Sequence, residues 1–181
     1  MNSMSKGVVA VVLCVSLTGC NPAWLERALA DLPVLTQMAL NIATLVSAFS
    51  GQQTSTAESA AIRNISAEAA RDLNLLDTLY REYQASPSQN SLQKIQGVIS
   101  DMNRNLLALL QAAHIGDVRM ATRMSVAVNL ILTTVNSFGA LMPQARMPHT
   151  RLAPVPQARE LKRQWNQQVC ANSILAGCEV R

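Results

Sequence analysis

Apolar residues recur at spacings of three and four through most of this chain, which is the period of an amphipathic helix. The first such segment opens at Asn21-Pro22, a good N-cap followed by a proline suited to the first helical position. Its stripe runs Leu25, Leu29, Leu32, then Leu35, Met38, Ile42, Leu45 and Phe49, with Gly51 placed to stop it. Pro33 is expected to kink or restart this helix, and Gln37, Asn41 and Thr44 form its polar side. Ser55-Thr56-Ala57-Glu58 has the form of a capping box, and Ile62, Ile65, Ala69, Leu76, Leu79 and Tyr83 follow it. Asp72 occupies an apolar slot of this stripe. It reads either as a buried functional carboxylate or, with Leu73 taking the core position, as a boundary residue. Ser86-Pro87-Ser88-Gln89 reads as a second capping box, leading Leu92, Ile95, Ile99, Met102, Leu106, Leu109 and Ala113. Gly116 ends that helix and Asp117 caps the next, whose stripe is Ala121, Met124, Val128, Ile131, Val135, Phe138 and Met142, widened by Leu130, Leu132 and Leu141.

The connections around 51–54, 85–86 and 115–116 are short, so consecutive helices are expected to be antiparallel neighbours. Heptad-like spacing favours crossing angles near 20°. The predicted fold is all-α: an antiparallel up-down four-helix bundle over 20–142, then a Pro-rich arm over 143–181 with a short fifth helix. Pro143, Pro148, Pro154 and Pro156 punctuate the arm and favour extended chain. Gln157 to Val169 suits a helix with Leu161, Trp165 and Val169 on one face. Met124 to Met142 contains no charged residue, which raises the possibility of a membrane span. The polar stripe Ser125, Asn129, Thr133 and Asn136 argues instead for a water-facing helix or a second contact, such as a neighbouring subunit in a homo-oligomer.

Composition narrows the class. Of 181 residues 49% are apolar, 14% charged and only 3% aromatic, which excludes a disordered chain and disfavours a base-stacking nucleic-acid binder. Charge is uneven. Residues 20–142 carry eight basic against nine acidic residues, whereas 143–181 carry six against two. The bundle is close to neutral and no nucleic-acid partner is expected. The basic arm is the candidate contact surface: Arg146, Arg151, Arg159, Lys162 and Arg163 suit an acidic partner, a phospholipid surface or an anionic polymer. Trp165 is the amphipathic anchor of a kind enriched at interfaces. The alternative has Leu161, Trp165 and Val169 docked on the bundle with the charges facing water.

Chemistry-bearing constellations are sparse. His114 and His149 are the two histidines, and neither completes a Glu-x-x-His pair of a di-metal bundle. His114 falls at a helix end, where it meets the C-terminal dipole favourably. No G-x-S-x-G, HExxH, phosphate-loop or covalent-haem motif occurs. No catalytic activity, metal or cofactor is expected.

The first twenty residues, MNSMSKGVVAVVLCVSLTGC, place Lys6 ahead of an apolar run from Gly7 to Leu17 that is too short to cross a bilayer. The run ends in Leu17-Thr18-Gly19-Cys20, which resembles the lipobox of bacterial lipoproteins. The resemblance covers these residues only. It implies that residues 1–19 are removed, that the Cys20 thiol receives diacylglycerol, and that the new amine is fatty-acylated, palmitate being the expected chain. Two or more chains are needed for a stable anchor. In that class an Asp after the cysteine favours inner-membrane retention; Asn21 points to the outer membrane, with the bundle in the periplasm. Cys14 leaves with the signal, so Cys170 and Cys178 remain. An oxidising compartment pairs them, a reducing one leaves two free thiols. The reading is a non-catalytic tether or accessory subunit of an envelope assembly, by analogy a secretion or conjugation machine, with a protein partner. Its rivals are an inhibitor or immunity lipoprotein that binds a toxin or channel, and a helical carrier with a lipid-binding core.

Overall fold

Short polar side chains set three of the helix starts. The computed structural model describes residues 23–48, 55–143, 156–170 and 178–180, and the regular structure among them is helical. In chain order the helices are α1 (Ala23–Ala48), α2 (Thr56–Ala85), α3 (Gln89–Ala112), α4 (Val118–Leu141) and α5 (Ala158–Gln168). At the start of α2 the Ser55 hydroxyl accepts the Glu58 N–H (3.1 Å), and the Glu58 carboxylate accepts the Ser55 N–H (2.8 Å), the expected capping box. Asp117 caps α4 by accepting the Met120 N–H at 2.7 Å. The start of α3 differs from expectation. Ser88, not Ser86, is the N-cap and accepts the Ser91 N–H at 3.1 Å. Ser86 belongs to the end of α2, where its N–H donates to the Glu82 carbonyl at 2.9 Å. Its backbone, at φ −146° and ψ 84°, has left the helical region that a following proline disfavours.

Pro33 lies inside α1 and does not end it. A helical proline removes its own N–H and leaves the carbonyl four residues earlier without that donor. Here the proline ring sits on an exposed side of α1, where water can take the place of the missing bond. α3 ends with His114 in the left-handed region at φ 43°, the conformation that glycine usually supplies at a helix C-terminus. The expected stop at Gly116 falls two residues beyond this bend. Gly116 instead donates its N–H to the Glu58 carboxylate at 2.6 Å, tying the α3–α4 turn to the first turn of α2. That N–H and then the Ser55 donors hold Glu58 below its usual carboxylate range.

α1 packs on α2 and α4, α3 packs on α2 and α4, and α5 packs on α1 and α4. The predicted stripes form the common core, with Leu32, Leu35, Met38, Ile42, Ile62, Ile65, Leu73, Leu76, Ile95, Met102, Leu106, Met124, Ile131, Val135 and Phe138 fully buried. Small residues bring α1 and α2 close: Ala39 and Ala69 are buried, and the Ser66 hydroxyl donates to the Ala39 carbonyl at 2.7 Å. Leu73 takes the core slot as expected. Asp72 is also buried beside it, rather than lying at an exposed boundary, with one oxygen 3.6 Å from Arg71 Nε. Burial and then the neighbouring Glu68 raise its pKa. Near the far end of α3, Asn103 and Asn136 exchange two amide hydrogen bonds (2.7 and 2.9 Å) between α3 and α4. One member of the polar stripe on α4 is thus engaged within the chain.

The segments Ala23–Leu45 and Val118–Leu141 are long and apolar enough to cross a membrane by length and composition. About half of each is covered by neighbouring helices, and Asn129, Thr133 and Asn136 keep an exposed polar face on α4. A core helix of a water-facing bundle has the same properties.

The His114 backbone generates a direct test. A non-glycine residue in the left-handed region costs roughly 1–2 kcal/mol, offset in part by the larger unfolded-state entropy of glycine. His114→Gly should therefore raise the urea unfolding free energy by about 0.5–1 kcal/mol, and the β-branched His114→Val should lower it.

Candidate functional site

α5 divides into two faces. Leu161, Trp165 and Val169, at i, i+4 and i+8, are fully buried where α5 meets α1 and α4. Arg159 and Arg163 are exposed and Lys162 is half-buried. Arg163 reaches back along the helix to Glu160, with its Nε donating at 2.8 Å and a second guanidinium nitrogen donating to the other oxygen. This fork, first by its hydrogen bonds, keeps the Glu160 carboxyl below its usual range. The surface presented outward is therefore cationic at Arg159 and largely neutralised at Arg163.

Two polar residues of α1 receive this helix. Asp31 is fully buried, and neither carboxylate oxygen has a hydrogen bond of ordinary geometry to a described residue. It lies against the amino end of α5, whose own N-cap, Gln157, makes no side-chain capping bond. Burial pushes the Asp31 pKa up to about 6, opposed by the Arg27 charge and by the loosely approaching Ala158 N–H. A negative charge at a helix amino terminus is favourable, so the same carboxylate that suffers from desolvation complements α5. About one turn beyond Gln37, Asn41 is buried as well. Its amide oxygen accepts from Gln37 Nε2 at 2.8 Å, and its Nδ2 donates to the Cys178 carbonyl at 3.0 Å. The expected placement of Asn41 on an outer polar side is thus corrected: the C-terminal segment covers it.

The Cys178 carbonyl takes a second bond, from Trp165 Nε1 at 2.9 Å. Cys170 and Cys178 form a disulfide, and both are buried. Closing so short a loop stabilises by roughly 2–3 kcal/mol in the chain-entropy model. Beyond it, the Val180 N–H donates to Asn166 Oδ1 at 3.0 Å and Asn166 Nδ2 donates to the Val180 carbonyl at 3.3 Å. One side chain thereby satisfies both backbone groups of Val180 as a neighbouring strand would.

The residues proposed from sequence separate accordingly. The Cys170–Cys178 bridge is present. Trp165 is an internal residue, with its indole N–H and ring used within the chain, so it is not the accessible anchor expected for a partner. Arg159, Lys162 and Arg163 share the outer side of α5. Cys20, Arg146, His149, Arg151 and most of the Pro-rich stretch lie outside the described residues, and His114 is exposed at the end of α3. No group of three or more His, Cys, Asp or Glu suited to a metal ion occurs among the described residues. Sequence reasoning overlooked Asp31, for which a carboxylate set between Ala30 and Leu32 was the available signal. The chain matches no protein family, curated protein or solved structure.

Two measurements follow from this geometry. Folding raises the Asp31 pKa from 3.8 to about 6, so the native state binds its proton more tightly than the unfolded chain does. The Asp31 contribution is most favourable below pH 4 and is lost as pH rises through 6. At about 1.4 kcal/mol per pH unit, the penalty at pH 7 is at most about 3 kcal/mol. Asp31→Asn should match the wild type near pH 4 and become progressively more stable relative to it by pH 7 in paired thermal melts. Separately, Trp165→Phe and Asn41→Ala should each cost about 1 kcal/mol in urea unfolding, because the Cys178 carbonyl keeps one donor. The double variant should cost about 1 kcal/mol more than their sum, because the buried carbonyl then has none.

Proposed function

We propose that this protein is a non-catalytic lipoprotein of the bacterial cell envelope, held in the outer membrane by acyl chains on Cys20 and working in the periplasm as a tether or accessory subunit. The observation that carries the reading is the Leu17-Thr18-Gly19-Cys20 box at the end of a short apolar leader, three residues ahead of the start of α1. A buried Cys170–Cys178 disulfide is in keeping with an oxidising compartment. The body is read as an antiparallel up-down four-helix bundle. Paired contacts support that arrangement: Trp24 with Tyr80 and Ala39 with Ser66 across α1 and α2, Glu58 with Gly116 and Glu68 with Asn105 on the α3 side, and Ile99 beside Gly139 and Asn103 with Asn136 across α3 and α4. In each set, higher numbers on one helix meet lower numbers on the next.

The partner surface is the outer face of α5. Arg159 offers exposed positive charge on a helix held rigidly by its apolar side, which suits an acidic patch on an envelope protein. Because α5 lies along α1 between the levels of Asp31 and Asn41, this face is on the flank of the bundle rather than on a reaching arm. Docking thus costs the partner complex little conformational entropy.

Mass spectrometry of the chain purified from membranes is expected to find an amino terminus at Cys20 carrying diacylglycerol and an amide-linked acyl chain. An intact Met1 with a free thiol at Cys20 would overturn the anchor. A photo-crosslinking residue at Arg159 should capture an envelope protein in intact cells, while the same probe at the exposed Gly97 on α3 should not. Capture of a soluble toxin at Arg159 would favour the inhibitor reading instead.

A further inference from the structure

We propose that the aromatic end of the helical body, with Trp24 as its contact, rests in the headgroup layer of the leaflet that holds the acyl chains. The inference builds on acylation of Cys20 and adds a surface of the folded body to that anchor. Three peptide steps separate Cys20 from Ala23, the first residue of α1, and they span at most about 11 Å. An acylated Cys20 therefore brings the first turn of α1 to the membrane surface. That turn contains Trp24, which is half-buried. Its ring meets Tyr80 edge-on at 5.7 Å between centroids and Tyr83 at 6.1 Å, both in the last two turns of α2. Tyr80 and Tyr83 are covered by the body, so Trp24 is the ring of the three that remains partly open. An indole with an apolar body and an N–H donor is the side chain most suited to the bilayer interface.

Among the described residues, the C-terminal segment meets α1 away from this end. Asn41, which holds the Cys178 carbonyl, lies 18 residues along α1 from Ala23, about 27 Å at 1.5 Å per residue. Asp31, at the amino end of α5, lies about 12 Å from the same point. With α1 upright on the leaflet, the level at which α5 begins thus lies farther from the leaflet than the screening length of about 8 Å at physiological salt. Trp24, in the turn next to the acylated residue, is then the aromatic side chain placed to meet the headgroups.

The test uses the full acylated chain reconstituted in phosphatidylethanolamine–phosphatidylglycerol vesicles. The chain has two tryptophans, so Trp165→Phe leaves Trp24 as the reporter. Its emission should shift to the blue, be quenched by lipids brominated near the carbonyl, and be shielded from acrylamide. A control chain with Trp24→Phe, Trp165→Phe and Val118→Trp reports from the exposed start of α4, where Val118 is 77% exposed. It should be quenched by acrylamide and not by brominated lipid. Should Trp165→Phe fail to fold, the wild type is compared with Trp24→Phe, which should lose the lipid-quenched component and leave the buried Trp165. A vesicle-bound, acylated chain whose Trp24 is no more sensitive to brominated lipid than the Val118→Trp control overturns the proposal and leaves the anchor intact. A chain lacking acyl groups and remaining outside the vesicles overturns the anchor and the proposal together.

Discussion

A peptide carbonyl inside a protein must find donors, and the carbonyl of Cys178 finds two, Asn41 Nδ2 and Trp165 Nε1. These bonds join three parts of the chain far apart in sequence: the middle of α1, the apolar face of α5 and the residue that closes the disulfide. The bridge holds Cys178 near the end of α5, and Asn166 secures Val180 just past it. Cys178 and Val180 are thus held by covalent, hydrogen-bonded and apolar contacts at once, and both are as buried as the core of the bundle.

Like α4, which meets α1, α3 and α5, α1 packs on three helices: α2, α4 and α5. Its faces are accordingly specialised. Small residues at Ala28 and Ala39 and the accepting carbonyl of Ala39 serve its packing, while Asp31 and Asn41 serve the C-terminal segment. A buried carboxylate without a full hydrogen-bond complement is costly. Its position at the amino end of a helix with no side-chain cap of its own gives that cost a structural counterpart. Tyr80 carries a similar burden: its hydroxyl is buried with no hydrogen-bond partner among the described residues, and burial drives its pKa upward.

The docked α5 also changes how the charge of the C-terminal region should be viewed. A loose basic arm would search a wide volume and lose much entropy on binding. A helix pinned by Leu161, Trp165 and Val169 instead presents Arg159 at a fixed place, with Arg163 tempered by Glu160.

Helical class, the core stripes, the Ser55–Glu58 box and the Asp117 cap were all readable along the chain, because each depends on residues within a few positions of one another. Cys170 and Cys178 could be paired on paper once an oxidising compartment was inferred. The start of α3 was misread by two residues, since Ser86 and Ser88 both flank Pro87 and local pattern does not say which one also closes α2. The continuity of α1 through Pro33 depended on which side of the helix the ring faced. The fates of Asn41 and Trp165 were beyond local reading for a common reason: a polar stripe and an amphipathic helix specify a face, and only the fold says what covers it. Asn41 became an internal donor, and Trp165 an internal residue, because α5 and the disulfide-closed end return to α1 more than a hundred residues later.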